Sequence, residues 1–451
     1  MTLPPPSGAM PPPGCPAHRD YTPLRLYGPE FAADPDTAYE GLRQYGDLAP
    51  VEIAPGVSAM LITDYRTALE LLQDPATWSH DSRPWQDTIP ADSPIRPMLA
   101  WRPNVLFADG AAHDRYRSVI TDSFRRLESH EVRSLVHHAA DTLIRDFGAT
   151  GRADLISQYA RVLPMLLFNR LFGLADADSS RLIDALAGML EGNTPEEAAR
   201  GNEAFENYVI DLVTAKKRER GLDLASWFID HPADLTTEEV VHQIVLTLGA
   251  ALEPTTNLIG NALARMLSDD RYYTTLTGGA LTARDAINEV LWHDPPMSNY
   301  GAHWARRDVF FHGTWIRAGQ LVLVSYAAAN SAVPRDSQAG GTGAGSHLAW
   351  SAGPHACPVQ NHALLVATTA IERLTAWLSD LELAVPYDRL EWRPGAFHRA
   401  LATLPARFTP LVPDPSGATP WNTSAPSSST RPGTTSEPRP TASAAAAPPH
   451  S

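Results

Sequence analysis

The sequence predicts a mainly α protein with small β-sheets, built as one large domain. Apolar residues recur with helical spacing over most of the chain, whereas the runs that suit strands are few and short. Between about residues 19 and 412 no linker-like change of composition interrupts this pattern. Nothing therefore divides that stretch into separate domains.

The helical periodicity is strongest in segments whose lengths are typical of globular proteins. These segments lie at 36–46, 65–73, 113–127, 131–147, 153–173, 178–191, 195–218, 236–267, 282–293 and 359–378. Strand-like runs lie near 51–64, 308–316 and 321–326. We therefore expect small sheets near the N-terminus and late in the chain, with helices between them.

The two ends of the chain differ from the rest. The stretch 413–451 is rich in Pro, Ser, Thr and Ala with few large apolar side chains, and the first eighteen residues are Pro-rich. Such segments cannot bury enough apolar surface to offset the loss of chain entropy. We expect a disordered leader over 1–18, a folded domain over 19–412 and a disordered tail over 413–451.

Charge and composition exclude several classes of protein. The net charge of −15 disfavours a nucleic-acid binder, which gains affinity by neutralising phosphates. Two cysteines, Cys15 and Cys357, are too few for a secreted disulfide framework. There is no apolar run long enough for a membrane helix, and the N-terminus does not resemble a signal peptide. We expect a soluble, cytoplasmic protein without nucleic-acid or membrane partners.

The most informative segment is the loop Trp350–Pro358, which contains Cys357 and precedes an apolar helix. Its Gly and Pro residues favour a loop, and the helix N-terminus after the cysteine would favour a thiolate. A buried structural cysteine is the alternative that the bare residue allows. A zinc site that combines Cys357 with His347, His355 and His362 fails on ligand spacing.

The loop resembles the haem-binding segment of the cytochrome P450 family, in which an aromatic residue and glycines precede Gly-x-His-x-Cys. Other segments resemble that family in the same order along the chain. They are Phe107–Arg117 (its His-x-x-x-Arg helix), Leu248–Asn257 (its long oxygen-binding helix), Glu289–Pro296 (its Glu-x-x-Arg helix) and Leu404–Phe408 (its closing motif). The resemblance covers about 20–412 and implies one domain with the haem between the long central helix and the cysteine loop.

The resemblance also implies residue roles. Cys357 would be the axial thiolate ligand to the iron of haem b (iron protoporphyrin IX), and thiolate donation favours O–O cleavage. His113, Arg117 and His355 would hold the haem propionates by charge-assisted hydrogen bonds. His303 stands where the family often has a propionate-binding arginine. Without the resemblance, His113 and Arg117 would equally suit a solvated helix face.

One departure from the family pattern lies in the Glu-x-x-Arg helix. Trp292 stands where the family has an arginine that pairs with the glutamate one turn earlier, here Glu289. An indole has one donor against five in a guanidinium, and an unpaired buried carboxylate is costly. Either haem incorporation is damaged or the neighbouring residues are co-adapted. The intact cysteine loop favours the second interpretation, and the combination resembles an actinobacterial subgroup that lacks the arginine.

A second departure lies in the long helix. Pro254 follows Glu253 where the family usually has a threonine that assists proton delivery. Proline has no hydroxyl and no N–H, so we expect a kink near 250–254. Glu253 and Thr255 are the candidate catalytic residues, with Thr255 or a substrate hydroxyl replacing the missing alcohol. Val359 replaces a common glycine and is expected to shift the following helix slightly.

The resemblance implies a haem-thiolate monooxygenase that activates dioxygen to hydroxylate or couple a small organic substrate, such as a secondary metabolite. Electrons would come from a ferredoxin and an NAD(P)H-dependent ferredoxin reductase, because no flavin or iron–sulfur segment is fused to the chain. The departures leave two alternatives: a haem-binding or partner-recruiting module with little oxygenase activity, or a peroxide-using haem enzyme. We expect a monomer, with substrate contacts from 80–105, 165–200, 250–254, 297–303 and 395–402.

Overall fold

The structure is a computed structural model that describes residues 23–174, 195–272, 281–333, 345–378 and 380–412. These residues belong to one compact unit, Met1–Val412, and are mainly helical with small sheets, which confirms the predicted fold class. A second unit, Pro413–Ser451, coincides with the predicted tail and lies outside the described residues. The predicted leader and the predicted helix at 178–191 also lie outside them.

The helices follow the predicted periodicity closely where they are long. Pro195–Arg218 matches its predicted limits, and Gln360–Trp377 differs by one residue at each end. The predicted helix 153–173 instead holds a strand, a π-turn at Ile156–Ala160 and a shorter helix. The α-helices are α1 Pro29–Ala33, α2 Pro35–Leu42, α3 Tyr65–Leu72, α4 Arg83–Gln86, α5 Arg96–Leu99, α6 Gly110–Phe124, α7 Ser129–Gly148, α8 Val162–Leu171, α9 Pro195–Arg218, α10 Leu224–Ile229, α11 Thr237–Ser268, α12 Ala283–His293, α13 Tyr326–Ser331 and α14 Gln360–Trp377.

The strands form a six-stranded sheet of order β1-β2-β3-β9-β6-β4, a three-stranded sheet of order β10-β11-β5 and the hairpin β7–β8. Their bounds are β1 Leu24–Arg25, β2 Leu48–Ala54, β3 Val57–Ile62, β4 Trp78–Ser79, β5 Arg152–Asp154, β6 Asn299–Ala305, β7 Val309–Phe311, β8 Thr314–Ile316, β9 Leu321–Ser325, β10 Glu382–Leu383 and β11 Pro405–Arg407. Each predicted strand region contains strands. β6 was not predicted, because a register shift between Tyr300 and His303 interrupts its alternation.

The long helix α11 lies at the centre of the helical part and packs against α9, α12 and α14. A capping box of Thr236 and Glu239 starts it, since each residue's side chain bonds the other's backbone N–H. Pro254 lies inside the helix without ending it, at the place where we expected a kink. None of the described helices combines the length and apolar character that crossing a membrane requires.

Candidate active site

Cys357 lies between a short turn, Gly353–His355, and the start of α14. Its backbone N–H donates to the Trp350 carbonyl at 2.8 Å, which closes the loop. Burial raises the pKa of the Cys357 thiol, although a backbone hydrogen bond from Val359 and the charge of Arg117 lower it. Burial therefore acts against a thiolate at this position, and a coordinated metal ion would favour one.

The loop backbone is fixed by a close approach to α3. Gly353 has a φ of 69°, and a Cβ atom there would lie 2.1 Å from the Leu72 carbonyl oxygen. No residue other than glycine fits this position. Ser351 also has a positive φ, 62°, which is costly for a residue with a Cβ.

Four imidazoles pack beside the cysteine loop. The ring centroid of His355 lies 3.4 Å from that of His80 and 4.2 Å from that of His113. The rings of His80 and His303 are 4.2 Å apart, because β4 pairs with β6 just before His80. The structure thus brings together three predicted propionate-binding histidines and adds His80, which the sequence did not single out.

Asp109 is the carboxylate that holds His80 in place. It accepts hydrogen bonds from the Ser79 hydroxyl at 2.6 Å and the His80 backbone N–H at 3.1 Å, and it pairs with Arg306 at 2.7 Å. Burial works to raise the pKa of Asp109, but the hydrogen bonds from His80 and Ser79 outweigh it and lower that pKa. Asp109 is therefore ionised and already engaged by several donors.

The histidine cluster has too little negative charge. Burial lowers the pKa of His113, His303 and His355, and the charge of His80 lowers each further. The Nε2 atom of His113 is buried without a hydrogen-bond partner among the described residues. Arg117 is half-buried, and no carboxylate in the described part of the chain pairs with it; burial lowers its pKa.

These observations fit a haem with its propionates at the cluster. Two propionate carboxylates would give the unpartnered donors of His113 and Arg117 the anions they lack. A cation is a poorer match. Ligand atoms of His80, Asp109 and His355 do lie within 4.8 Å of one another, but Asp109 is already held by Arg306 and Ser79. The site residues therefore suit a dianionic cofactor, and Cys357 would be the residue that ligates its metal.

Glu253 and Thr255, the predicted catalytic residues, lie on α11, a different element from those of the histidine cluster. The Glu253 carboxylate pairs with Arg393 and accepts a 3.3 Å hydrogen bond from Asn257, one turn later. Burial works to raise the pKa of Glu253, but the charges of Arg393 and His398 lower it on balance. Thr255 is buried.

The Glu-x-x-Trp helix is tied to the cysteine loop without an arginine. Trp292 is buried and contacts the His347 ring edge-on, with the centroids 5.7 Å apart. Asn330 donates to the Leu291 carbonyl at 3.0 Å and accepts from the Leu348 N–H at 2.8 Å. A ring contact and a buried amide thus join α12 to the segment before the loop.

The Glu289 side chain is partly exposed and pairs with two arginines. Its side chain is 27% exposed, and it pairs with Arg271 at 3.2 Å and Arg265 at 3.9 Å. Because it is neither deeply buried nor unpaired, the cost we expected for an orphaned carboxylate does not arise.

Sequence reasoning did not single out His80, Asn330, Arg393 and His398. His80 begins one predicted substrate-contact range and His398 lies in another, so their neighbourhood was indicated but not their role. Each contacts a partner far away in the chain, and spacing along a sequence carries no signal for such a contact.

No protein-family model matches the chain. Cytochrome P450 107B1 of Saccharopolyspora erythraea is 28% identical over 398 residues, which cover 85% of this chain and 97% of the relative. The cytochrome P450 monooxygenase PikC of Streptomyces venezuelae is 28% identical over 399 residues, with coverages of 85% and 94%. The solved structure of CYP154C4 from Streptomyces sp. W2061 is 26% identical, with a TM-score of 0.75 over 86% of this chain and 98% of that one.

These similarities cover about 85% of the chain, and they agree with the ordered motifs and with the mainly α fold. This chain therefore belongs to the cytochrome P450 family and is a haem b monooxygenase.

Proposed function

We propose that Cys357 is the axial ligand of the haem and that the enzyme hydroxylates or oxidatively couples a small, partly polar secondary metabolite. The observation that carries this proposal is the half-buried Cys357 beside a cluster of histidines and an arginine that have few carboxylate partners. Thiolate-ligated haem supplies the activation of dioxygen when it is bound.

The chain's own residues prepare the proximal side. Cys357 is half-buried, and burial raises the pKa of its thiol, which favours the protonated form until a metal ion is bound. The Val359 N–H would stabilise the sulfur by a hydrogen bond, and Arg117 contributes positive charge.

His113, Arg117, His303 and His355 would hold the haem propionates. The imidazole rings of the three histidines and the Arg117 guanidinium supply hydrogen-bond donors from three separate elements, α6, β6 and the cysteine loop. Charge-assisted bonds of this kind orient a planar cofactor as well as bind it. Because the pKa of each of these histidines is lowered, propionate binding would raise it again.

Glu253, on α11, holds and releases protons, and Thr255 or a substrate hydroxyl replaces the alcohol that Pro254 lacks. The substrate class rests on relatives of similar length. One is named vitamin D(3) 25-hydroxylase, another 2-hydroxy-5-methyl-1-naphthoate 7-hydroxylase, and a solved neighbour is a tirandamycin C-bound P450 monooxygenase. All three names denote mid-sized organic molecules with polar groups.

We further propose that a ferredoxin and an NAD(P)H-dependent ferredoxin reductase supply the electrons, and that the enzyme is a cytoplasmic monomer. A peroxide-using enzyme would instead turn over without these proteins. Turnover of a candidate substrate with ferredoxin and reductase, compared with turnover in hydrogen peroxide alone, separates the two.

The spectrum of the reduced, CO-bound protein tests the axial ligand. We expect a red-shifted Soret band in the wild type, its loss in Cys357→Ser, and its retention in the matched control Cys15→Ser. Circular dichroism of Cys357→Ser shows whether the helices remain. Wild-type protein purified without haem after haem supplementation, or a folded Cys357→Ser variant with an unchanged band, would contradict the proposal.

A further inference from the structure

The hairpin of β7 and β8 closes in a two-residue turn, His312-Gly313, in which the histidine is unusual. Both residues have a positive φ, 44° at His312 and 80° at Gly313. Hairpin turns of this kind favour Asn-Gly, because a residue with a Cβ atom is strained in the left-handed region. We therefore expect contacts of the His312 side chain to offset the strain.

The His312 ring lies between two carboxylates from different parts of the fold. Its Nδ1 atom is 2.8 Å from Oδ2 of Asp47, in the turn before β2, and its Nε2 atom is 3.0 Å from Oε2 of Glu70, on α3. The Thr67 hydroxyl, also on α3, donates to the same Asp47 oxygen at 2.9 Å and lies 3.2 Å from Nδ1. One imidazole thus joins the hairpin, α3 and the turn before β2.

These two contacts require one particular form of the His312 ring. An ionised carboxylate only accepts hydrogen bonds, so both ring nitrogens must carry a proton to bond both carboxylates. A neutral imidazole has a single N–H and would turn the lone pair of its other nitrogen toward an anion. Because the two acids lie at opposite ring nitrogens, no single metal ion could be bound by the imidazole and both carboxylates. The geometry therefore fits the imidazolium ion.

The hairpin and α3 both contact elements that carry the haem site. Phe311, the last residue of β7, packs edge-on against Trp78 of β4, with the ring centroids 5.2 Å apart. β4 leads directly to His80 of the histidine cluster. α3 ends at Leu72, whose carbonyl oxygen lies against Gly353 of the cysteine loop. A contact between the hairpin and α3 therefore joins two supports of that site.

We propose that His312 is a pH-sensitive clasp, which in its protonated form ties the hairpin to α3 and to the turn before β2. Loss of one ring proton breaks one of the two carboxylate contacts, and the strained turn then loosens together with α3. Asp47 and Glu70 are the charged groups that act on the ring within the described part of the chain. The clasp goes beyond the proposed function, because it depends on neither the iron ligand nor the substrate.

The direction of the pH dependence follows from the surroundings of the ring. Burial works to lower the pKa of His312, but the hydrogen bonds and charges of Glu70 and Asp47 outweigh it and raise that pKa above its ordinary value of 6.5. A group whose pKa is raised by folding stabilises the folded state fully below its unfolded pKa, and this contribution is lost as the pH rises through the folded pKa. The clasp is therefore closed near pH 6 and opens as the pH rises above neutrality.

Hydrogen exchange of the holoenzyme, followed by mass spectrometry, tests the clasp in peptides that contain the hairpin and α3. After correction for intrinsic exchange rates, we expect the wild type to open roughly threefold more often at pH 8.5 than at pH 6. The effect is modest because the His312 side chain is 31% exposed and partly exposed ion pairs contribute little.

The variant His312→Asn separates the clasp from the turn, since asparagine tolerates a positive φ but does not place a cation between the two acids. Its corrected exchange should be equal at the two pH values and match that of the wild type at pH 8.5. The control His130→Asn removes an exposed histidine on α7 and should keep the wild-type pH dependence. Equal pH dependence in the wild type and His312→Asn would overturn the clasp.

Two further measurements test the carboxylate contacts themselves. Nitrogen-15 NMR of histidine-labelled holoenzyme, with the His312 signals assigned by their loss in His312→Asn, should show both ring nitrogens protonated at pH 6. Glu70→Gln, which also serves if His312→Asn fails to fold, should lower the midpoint of the His312 titration. A neutral His312 ring at pH 6, or a midpoint that Glu70→Gln leaves unchanged, would contradict the proposal. In 1 M NaCl the pH dependence of exchange should weaken, because salt screens exposed charges.

Discussion

The junction below the cysteine loop and the cluster on the long helix both depart from the family pattern, but they depart in opposite ways. At the junction, Trp292, His347 and Asn330 form neutral buried contacts, and the carboxylate of Glu289 is partly exposed. On the long helix, Glu253 and Arg393 stay charged and largely inside. Neutral side chains thus form the junction, which only attaches α12 to the segment before the loop. A charged pair is present at Glu253, which holds a proton in the proposed function.

The energetics of ion pairs explain this difference. A buried pair costs desolvation that its attraction only partly returns, so well-packed neutral side chains can replace it without loss of stability. At the junction Asn330 is a neutral buried side chain of this kind, with hydrogen bonds to both elements that it joins. Because Glu253 has a chemical role in the proposed function, a neutral side chain cannot replace it. Arg393 offsets the cost of burying its charge instead.

The largest effect should follow from breaking the buried pair. Arg393→Met leaves the Glu253 carboxylate without its cation, and we expect unfolding to become easier by about 3–5 kcal/mol. Urea denaturation of the holoenzyme measures the change. Arg271→Met, which removes an exposed partner of Glu289, is the control and should cost less than about 1 kcal/mol. Equal losses in the two variants would erase the proposed difference between the regions.

A smaller effect should come from the neutral junction. Asn330→Ala deprives the buried Leu291 carbonyl and Leu348 N–H of their partner, at about 1–3 kcal/mol for each group left unsatisfied. We expect destabilisation of roughly 2–4 kcal/mol and faster haem loss, followed by transfer of haem to apomyoglobin. Unchanged haem retention would show that Asn330 does not fix the loop.

The pH dependence of stability probes both regions at once. Burial lowers the pKa of His347 at the junction and of His398 in the cluster to about 4. Between pH 6.5 and 4 the unfolded chain binds protons that these folded imidazoles do not, so stability falls as the pH falls. Each histidine should contribute about 1.4 kcal/mol per pH unit in that window.

Replacing either histidine with glutamine should therefore reduce the slope of the free energy of unfolding against pH by the contribution of one proton. Urea denaturation from pH 7 to 4.5 measures this slope. The two variants should have similar slopes. If only one variant differs from the wild type, the other histidine titrates in the folded protein near its ordinary pKa, and its site is not as closed as its burial indicates.

The smallest effect should come from Glu289. Because its carboxylate is partly exposed and paired with surface arginines, Glu289→Gln should cost less than about 1 kcal/mol and leave haem content unchanged. Haem content from the pyridine haemochrome spectrum checks this. Loss of haem would mean that the Glu289 carboxylate still supports the junction, so the junction would not be the neutral region that its buried contacts indicate.

Local signals in the sequence predicted most of the fold. The helix Pro195–Arg218 was found because its apolar spacing is determined by the helix itself. The first residues of the predicted helix 153–173 instead belong to β5, which pairs with β11 about 250 residues later. Gly301 has a φ of 55°, and a Cβ atom there would lie 2.6 Å from the Tyr326 hydroxyl. The pairing register of β6 shifts at this residue, which hides the strand's alternation in the sequence.

The same distinction between local and long-range signals applies to the residues of the site. Cys357, His113, Arg117 and His355 were accessible because each lies in a short motif. Asn330 and His398 were not, since an amide between two backbone groups and an imidazole against a glycine look ordinary in sequence. Trp292 was recognised as unusual, but only its contact with His347 shows how the change is accommodated.

The four packed histidines come from parts of the chain that are far apart, at residues 80, 113, 303 and 355. Their meeting requires the pairing of β4 with β6, across more than two hundred residues, and loops of that length close slowly. Capture of the cofactor is thus a late event in folding. Haem uptake by refolding protein would therefore report when the native topology is complete, because helices that form earlier do not by themselves bring the four histidines together.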